Sequence, residues 1–183
     1  MSQNDLETQL AYWRSWVGRS EQRTDTIGAA PLVGLAATLD LDPVTPDKQF
    51  EIPALAHWLY FLPAARHREI AEDGHPRRGG FLPPIPQPRR MWAGGRIQFH
   101  HPLRFGDEVV RVSTIKNIAA KAGRTGALVF VTVRHEVSNA QGIAVTEEQD
   151  LVYRDAPAPG TRAPDPVWAP SSQTFARVVV PDP

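Results

Sequence analysis

A proline-rich segment at residues 76–88 constrains the fold of this chain more than any other feature. Five prolines fall within it. Because proline has a fixed φ angle and no amide N–H, the segment can be neither an α-helix nor a strand inside a sheet. It must be an extended, rigid loop that separates the N-terminal part of the chain from the part that follows.

The part after this proline segment alternates with a period of two residues. The alternating runs are 96–105, 108–118, 127–138 and 143–153, and turn-forming residues separate them. Regular alternating runs with turn signals between them predict an antiparallel meander.

Two helices are predicted before the proline segment. Residues 4–17 place apolar side chains on one face, and Gly18 ends the helix. Residues 26–40 carry no charge before Asp40 and are rich in glycine and alanine, so we expect this helix to be buried on all sides. A buried helix followed by a long antiparallel sheet indicates the α+β class, with the sheet curled around the helix.

The composition excludes several classes of function. The chain has 183 residues with 20 basic and 20 acidic side chains, so we expect neither a nucleic-acid binder nor a membrane-surface binder. It has no cysteine, which excludes disulfides, zinc–thiolate sites and thiol nucleophiles. No apolar run has membrane-spanning length and no signal pattern opens the chain, which predicts a cytoplasmic protein. No pattern indicates a metal or redox cofactor.

The C-terminal residues predict a change of organisation. We expect one domain over residues 1–154, a proline-rich linker over 155–173, and a strand within 174–183. That strand would be either the start of a second domain or a strand supplied to a neighbouring subunit.

Arginines are concentrated in and just after the proline segment. Residues 76–96 contain five arginines and no carboxylate, and guanidinium groups suit bidentate binding of phosphate or carboxylate. We therefore predict that this stretch binds an anionic group of a ligand. The first candidates are Arg89, Arg90 and Trp92, and the second are Arg77 and Arg78. The alternative is a solvated basic loop that packs against a partner.

The histidine spacing does not predict a metal site. His100 and His101 are adjacent in a predicted strand, so their side chains point to opposite faces, and we expect structural roles for both. We expect His57 to be a hydrogen-bonded core residue. His75, beside Pro76, is placed to approach a ligand.

The acidic residues of the last runs are expected at the surface. Glu147, Glu148 and Asp150 predict a solvated edge that discourages aggregation. His135 and Glu136 alternate faces within one run, and the pair is expected to be structural.

Three segments of the sequence resemble one protein family. They are HPRRGGFLPP at 75–84, PRRMWAGGRIQFHHPLRFGDEV at 88–109, and LVFVTVRHEVSNAQGIAVTEEQDLVYRD at 128–155. They resemble the N-terminal half of two-hotdog MaoC-like hydratases, above all the mesaconyl-C4-CoA or itaconyl-CoA hydratases, and the dehydratase domain of type I fatty-acid synthases. The resemblance implies a hotdog fold, with a second hotdog half or subunit packed beside it. It also implies an acyl-CoA or acyl-carrier-protein thioester as the substrate and no cofactor.

The family's catalytic signature, Gly-Asp-x-Asn-Pro-x-His, corresponds to residues 39–45. Asp40 and Pro43 match it, whereas Asp42 replaces the asparagine and Thr45 replaces the histidine that serves as general base. Hydration of an enoyl thioester needs a base whose pKa lies near the working pH, which histidine provides and threonine does not. The resemblance therefore implies a non-catalytic half that shapes the substrate tunnel, while a second half supplies a histidine and an aspartate.

Two other functions remain open at this stage. The first is a stand-alone homodimeric hotdog that binds acyl-CoA without turnover, although a linker and a further strand would have little use there. The second is a hotdog thioesterase, which needs a carboxylate near the thioester. Only Asp40 or Asp42 is placed for that role, and a bare Asp-x-Asp pattern is weak evidence for acid/base chemistry.

Overall fold

The computed structural model describes residues 3–43, 45–123, 126–156 and 160. Its helices and strands are, in chain order, α1 (Gln3–Arg14), β1 (Ser20–Thr26), α2 (Ala29–Thr38), β2 (Arg89–Phe99), β3 (Glu108–Gly123), β4 (Gly126–Asn139) and β5 (Gly142–Arg154). Short 3₁₀ turns at Ala56–Leu59 and His67–Glu69 lie between α2 and β2. The α+β class predicted from the sequence is confirmed.

The described strands form one antiparallel sheet in the order β1-β3-β4-β5-β2. The predicted meander is confirmed for β3, β4 and β5, which are consecutive neighbours. The expectation for the first run, 96–105, was wrong in two respects: β2 begins at Arg89 and ends at Phe99, and it pairs with β5 instead of β3. β2 does not pair with β3 because β1 pairs with that side of β3.

Strand β1 was not predicted from the sequence. Its residues, SEQRTDT, include no apolar side chain, so the hydrophobic alternation that marks a strand is absent. The strand lies at the edge of the sheet and alternates between exposed and half-buried positions. Its register on β3 runs from Ser20↔Thr114 to Thr26↔Glu108.

One face of the sheet, here called the inner face, is apolar and covered by two clusters of buried side chains. In the first cluster Trp13, Trp16 and Ile85 pack on residues of β3, β4 and β5. The second cluster lies at the other end of the sheet, where residues from the loops after β1 and before β3 and from residues 52–61 pack on the strands. Its buried members are Ile27, Tyr60, Phe61, Leu103, Val109, Val137, Ala144 and Val145.

Helix α1 is held on the sheet by its aromatic face. Asp5 in its first turn and Arg14 in its last turn match the helix dipole. The Arg14 Nε donates to the carbonyl oxygen of Ile118 at 3.2 Å, and Trp16 Nε1 donates to that of Gly80, also at 3.2 Å. The helix expected over 4–17 ends earlier, at Arg14, and Gly18 instead closes the turn that follows it, with a φ of 87° that glycine adopts without strain.

Helix α2 is shorter and less buried than the helix expected over 26–40. It buries only Leu32 and Ala36, while Val33 is 44% exposed. Small residues allow other segments to approach a helix closely, but they do not ensure that such segments are present. Within the described chain, other residues pack against only one face of α2. The inner face is instead covered by α1, residues 52–61 and the proline segment.

The C-terminal predictions fall mostly outside the described residues. Of the linker expected over 155–173, only residues 155, 156 and 160 are described, and the strand expected within 174–183 is not. Among the described helices, none is long and apolar enough to cross a membrane.

We expect Trp13→Ala to lower the free energy of unfolding by about 3–5 kcal/mol, because it removes a side chain that is 2% exposed from the first cluster. Val17→Ala, at a side chain that is 43% exposed, is the matched control and should cost well under about 1 kcal/mol. Urea denaturation followed by circular dichroism measures both. Equal midpoints for the two variants would show that α1 does not cover the sheet.

Candidate functional site

The side chain of Arg78 forms hydrogen bonds with the proline segment and with Asp73. Its guanidinium donates to the carbonyl oxygens of Ile85, Gln87 and Pro88 and pairs with the Asp73 carboxylate at 2.9 Å. These contacts satisfy carbonyl groups in a loop whose prolines have no N–H groups to offer. The geometry favours a structural role for Arg78 over contact with a ligand.

Arg96 finds its partners on the neighbouring strand. It pairs with Glu148 at 2.9 Å and with Asp150 at 3.1 Å on the outer face of the sheet. Counting charges along the chain missed these pairs because β2 and β5 are far apart in sequence. Arg77 has an exposed side chain, and its backbone N–H donates to the carbonyl oxygen of Glu69.

Arg89, Arg90 and Trp92 lie inside β2, at the edge of the sheet, and not in the loop before it. Arg90 lies opposite Tyr153, on the inner face, and Trp92 is 62% exposed. Burial raises the pKa of Tyr153, and the nearby Arg90 opposes this. No ion pair within the described residues involves Arg89 or Arg90, so their binding of an anion stays a prediction.

The signature residues lie in an exposed loop after α2. Asp40, Asp42, Pro43 and Thr45 are all exposed, and Asp40 has a φ of 53°. Among the described residues no histidine is bonded to either aspartate. The loop therefore shows no acid/base pair.

Three polar side chains form a row across the inner face, between the two apolar clusters. Ser113 on β3, His135 on β4 and Glu147 on β5 are neighbours in the register of the sheet. Ser113 is 1% exposed and Glu147 is 8% exposed. The expectation of a solvated edge was therefore wrong for Glu147, because β2 covers the free side of β5 and the side chain points inward. Glu148 and Asp150 do lie on the outer face.

Glu147 is held by two donors from the 3₁₀ turn at Ala56–Leu59. Trp58 Nε1 donates to Glu147 Oε2 at 3.0 Å, and His57 Nε2 lies 3.4 Å from the same oxygen. Burial by itself would raise the pKa of Glu147, but the hydrogen bonds from His57 and Trp58 outweigh it and the pKa is lowered. The carboxylate is therefore ionised at neutral pH. The prediction of a hydrogen-bonded core role for His57 is confirmed, since it is 4% exposed.

His135 is neutral at neutral pH. Its Nδ1 lies 2.8 Å from Ser113 Oγ. Burial, reinforced by the positive charge of Arg111, lowers the pKa of His135 from the ordinary histidine value of 6.5. The neighbouring Glu136 points to the outer face and pairs with Arg134 at 2.8 Å, so the two residues alternate as predicted.

The segment that carries His57 is under backbone strain. Leu55 and Phe61 have φ angles of 72° and 57°, which non-glycine residues rarely adopt. Asp25 accepts a hydrogen bond from the Phe61 N–H at 2.6 Å, and Tyr60 donates to the carbonyl oxygen of Gly28 at 2.7 Å. Strain that the surroundings enforce in this way is typical of functional sites.

Two cavities adjoin this segment. The first, here called the histidine cavity, has a volume of about 280 Å³ and is lined by Ile52, Pro53, Ala54, His57, Phe99, His100, His101, Pro102, Leu103 and Val145. The second is an apolar groove of about 430 Å³ between α2 and residues 50–59. Sequence reasoning missed the histidine cavity because its walls come from three separate parts of the chain.

His100 and His101 bond to different partners. His100 Nε2 lies 3.0 Å from Thr146 Oγ1, while His101 Nδ1 lies 3.2 Å from the carbonyl oxygen of Pro102. The part of the chain that the structure describes contains no group of three or more potential metal-binding side chains. Burial and the nearby Arg90 lower the pKa of His75.

The sequence of residues 55–183 matches the protein family described as hydroxyacyl-thioester dehydratase type 2. This chain belongs to that family. The match includes His57, the proline segment and β2 to β5. The match confirms the resemblance to a family of acyl-thioester hydratases and dehydratases that the sequence showed.

Two comparisons extend this family assignment. It is 48% identical over 174 residues to the mesaconyl-C(4)-CoA hydratase of Chloroflexus aurantiacus, and the match covers 94% of this chain and 62% of that protein. The chain thus spans less than two thirds of this relative's length. The fold is similar to the ChsH1-ChsH2 complex from Mycobacterium tuberculosis, with a TM-score of 0.55, 11% identity, and coverage of 91% of this chain and 100% of that one. The predicted hotdog fold is confirmed.

We expect the free energy of unfolding to fall as the pH is lowered from about 7 to about 5.5, because the unfolded chain protonates His135 below a pKa of about 6.5 while the folded chain resists it. His135→Gln should flatten this pH dependence, and the exposed His67→Gln is the matched control. Thermal unfolding at several pH values measures the slopes. Equal slopes in the wild type and His135→Gln would contradict the burial of a neutral imidazole.

Proposed function

We propose that this chain is the non-catalytic, substrate-tunnel half of an enoyl-CoA hydratase or 3-hydroxyacyl-CoA dehydratase. The family match supports the reaction class, and the 48% identity to a mesaconyl-C(4)-CoA hydratase supports a short dicarboxylic acyl thioester as substrate. The observation that supports a non-catalytic role for this half is the exposed signature loop, in which Thr45 stands where the family signature has a histidine.

The reaction adds water across the double bond of an enoyl thioester. The water oxygen bonds to C3, one proton is delivered to C2, and the reverse reaction eliminates the same water. A general base must take a proton from water, and a neighbouring carboxylate must orient that base. Among the described residues of the loop at 39–45, the acidic side chains are Asp40 and Asp42, and no imidazole of the described chain is bonded to either. The histidine and aspartate then come from a second hotdog, in the same polypeptide or on another subunit.

The apolar groove beside α2 supports a second hotdog. Its exposed residues include Leu39, Leu41 and Leu55, which are 58%, 59% and 41% exposed. An exposed patch of this kind marks a binding surface on a soluble domain. A second half that covers it would also bury the remaining faces of α2, as the sequence predicted for that helix.

Arg89 and Arg90 contact an anionic part of the substrate in this proposal. Both lie at the edge of the sheet, and neither has an ion-pair partner among the described residues. The anion is either a phosphate of coenzyme A or the terminal carboxylate of the acyl group. Arg77 and Arg78 lie in the adjoining loop, where Arg78 positions the chain.

The 183-residue chain by itself should bind crotonyl-CoA without hydrating it. The measurement follows the loss of enoyl-thioester absorbance at high protein concentration, and calorimetry on the same sample measures binding. Retained binding with no turnover is expected, since the described residues offer no histidine base at the signature. Turnover above the uncatalysed rate would overturn the non-catalytic assignment.

Arg89→Ala and Arg90→Ala should each weaken the binding of coenzyme A by about tenfold if they contact its phosphates, since one charge-assisted hydrogen bond is lost. Arg96→Ala, whose ion pairs lie on the outer face, is the control and should leave the dissociation constant unchanged. Calorimetric titration with coenzyme A measures all three variants. An unchanged affinity in Arg89→Ala and Arg90→Ala would remove the phosphate contact.

A further inference from the structure

The side chain of Trp92 is exposed and at the same time held against its own strand. It is 62% exposed and lies opposite Leu151, on the inner face of the edge strand β2. A methyl group at Gly95 would lie 3.4 Å from both Nε1 and Cζ2 of the indole, so the ring rests where glycine leaves room for it. A ring that is held in place and open to solvent can stack on another flat ring at little cost in side-chain entropy.

Arg90 lies beside Trp92 on the same face of the strand. Arg90 is opposite Tyr153 and Trp92 is opposite Leu151, whereas Arg89 is one position along and points to the outer face. At about 3.3 Å per residue, the two inner-face positions are about 7 Å apart along the strand. One ligand of nucleotide size can therefore contact both side chains.

The positive charge of Arg90 remains available to a ligand. No ion pair among the described residues involves Arg90, and Asp73, a carboxylate in the same region, pairs with Arg78 at 2.9 Å. Burial, together with the charge of Arg90, lowers the pKa of His75, so this imidazole is neutral at pH 7. The group that complements an open aromatic ring beside a guanidinium is a flat ring that carries negative charge.

We propose that Trp92 stacks on the adenine ring of coenzyme A while Arg90 binds one of its phosphates. Stacking of a base on an aromatic side chain is favourable, and guanidinium groups form charge-assisted hydrogen bonds with phosphate. This inference rests on the proposed function and names the carrier of the acyl group. A carrier protein presents the phosphopantetheine arm without a base, so this site selects coenzyme A over a carrier protein.

The small apolar area at Trp92 fits one base better than a protein partner. Its inner-face neighbours along β2 are Arg90 and Gly95, while the exposed Met91 points to the outer face. Phe99, which is also exposed on the inner face, lies at the far end of the strand. A stable protein interface buries about 800 Å² on each partner, which is much more than one indole ring supplies.

The test compares three ligands that contain different parts of coenzyme A. Adenosine 3′,5′-bisphosphate carries the base and phosphates, 4′-phosphopantetheine carries the arm without the base, and coenzyme A carries both. Calorimetric titration of the 183-residue chain should show coenzyme A binding at least about tenfold more tightly than 4′-phosphopantetheine. Trp92→Leu should weaken the binding of coenzyme A and of adenosine bisphosphate by at least about fivefold, and that of 4′-phosphopantetheine by less than about twofold.

Two further variants separate stacking from a general effect on the fold. Trp92→Phe keeps an aromatic face, so it should bind adenosine bisphosphate more tightly than Trp92→Leu does. Tyr12→Leu removes an aromatic side chain that is 57% exposed on α1, and it should leave all three affinities unchanged.

The possible outcomes distinguish this inference from the proposed function. Equal affinity for coenzyme A and 4′-phosphopantetheine, or unchanged binding of adenosine bisphosphate in Trp92→Leu, would overturn the adenine site and leave the hydratase role standing. A folded chain that binds none of the three ligands would overturn the proposed function as well. If Trp92→Leu dissociates an oligomer in sedimentation experiments while its affinity for coenzyme A is unchanged, Trp92 belongs to a protein interface and the adenine site is wrong.

Discussion

A single antiparallel sheet has one apolar face that must be covered, and the rest of this structure depends on how that is done. Helix α1 and the proline segment cover one end of the inner face, and residues 52–61 cover the other. Each cover is anchored by a polar contact. Arg78 supplies donors to the carbonyl groups of the proline segment, and Glu147 receives the donors of the 3₁₀ turn.

The second anchor, which is the set of hydrogen bonds to Glu147, has features that are typical of functional sites, and the first anchor lacks them. A buried carboxylate is costly unless donors surround it, and an apolar pair of similar volume would cover the sheet as well. The segment that provides the donors is also strained at Leu55 and Phe61. Backbone strain and a buried carboxylate thus occur together beside the histidine cavity, and local rules are broken in this way mostly at functional sites.

The candidate site was only partly accessible from the sequence. The loss of histidine at Thr45 and the core role of His57 were readable from residue type and local pattern. The arginine cluster suggested free positive charges, but two of its members already have partners. Arg78 bonds to Asp73 and to loop carbonyls, and Arg96 pairs with carboxylates of β5. Glu147 was expected at a solvated edge, which was wrong, since it is buried. Its burial depends on β2 pairing with β5, and the alternation along β5 does not reveal which side chains face a covered surface.

The sequence by itself determined the α+β class, the positions of three meander strands, the extended loop at 76–88 and the missing signature histidine. These follow from properties that are local in the chain, namely proline geometry, period-two alternation and residue identity. Only the tertiary structure decided the strand order, the burial of Glu147 and the placement of His57 and His101 on the walls of one cavity. Those features depend on which distant segments pair and which face becomes covered, and that is settled by packing between elements far apart in sequence.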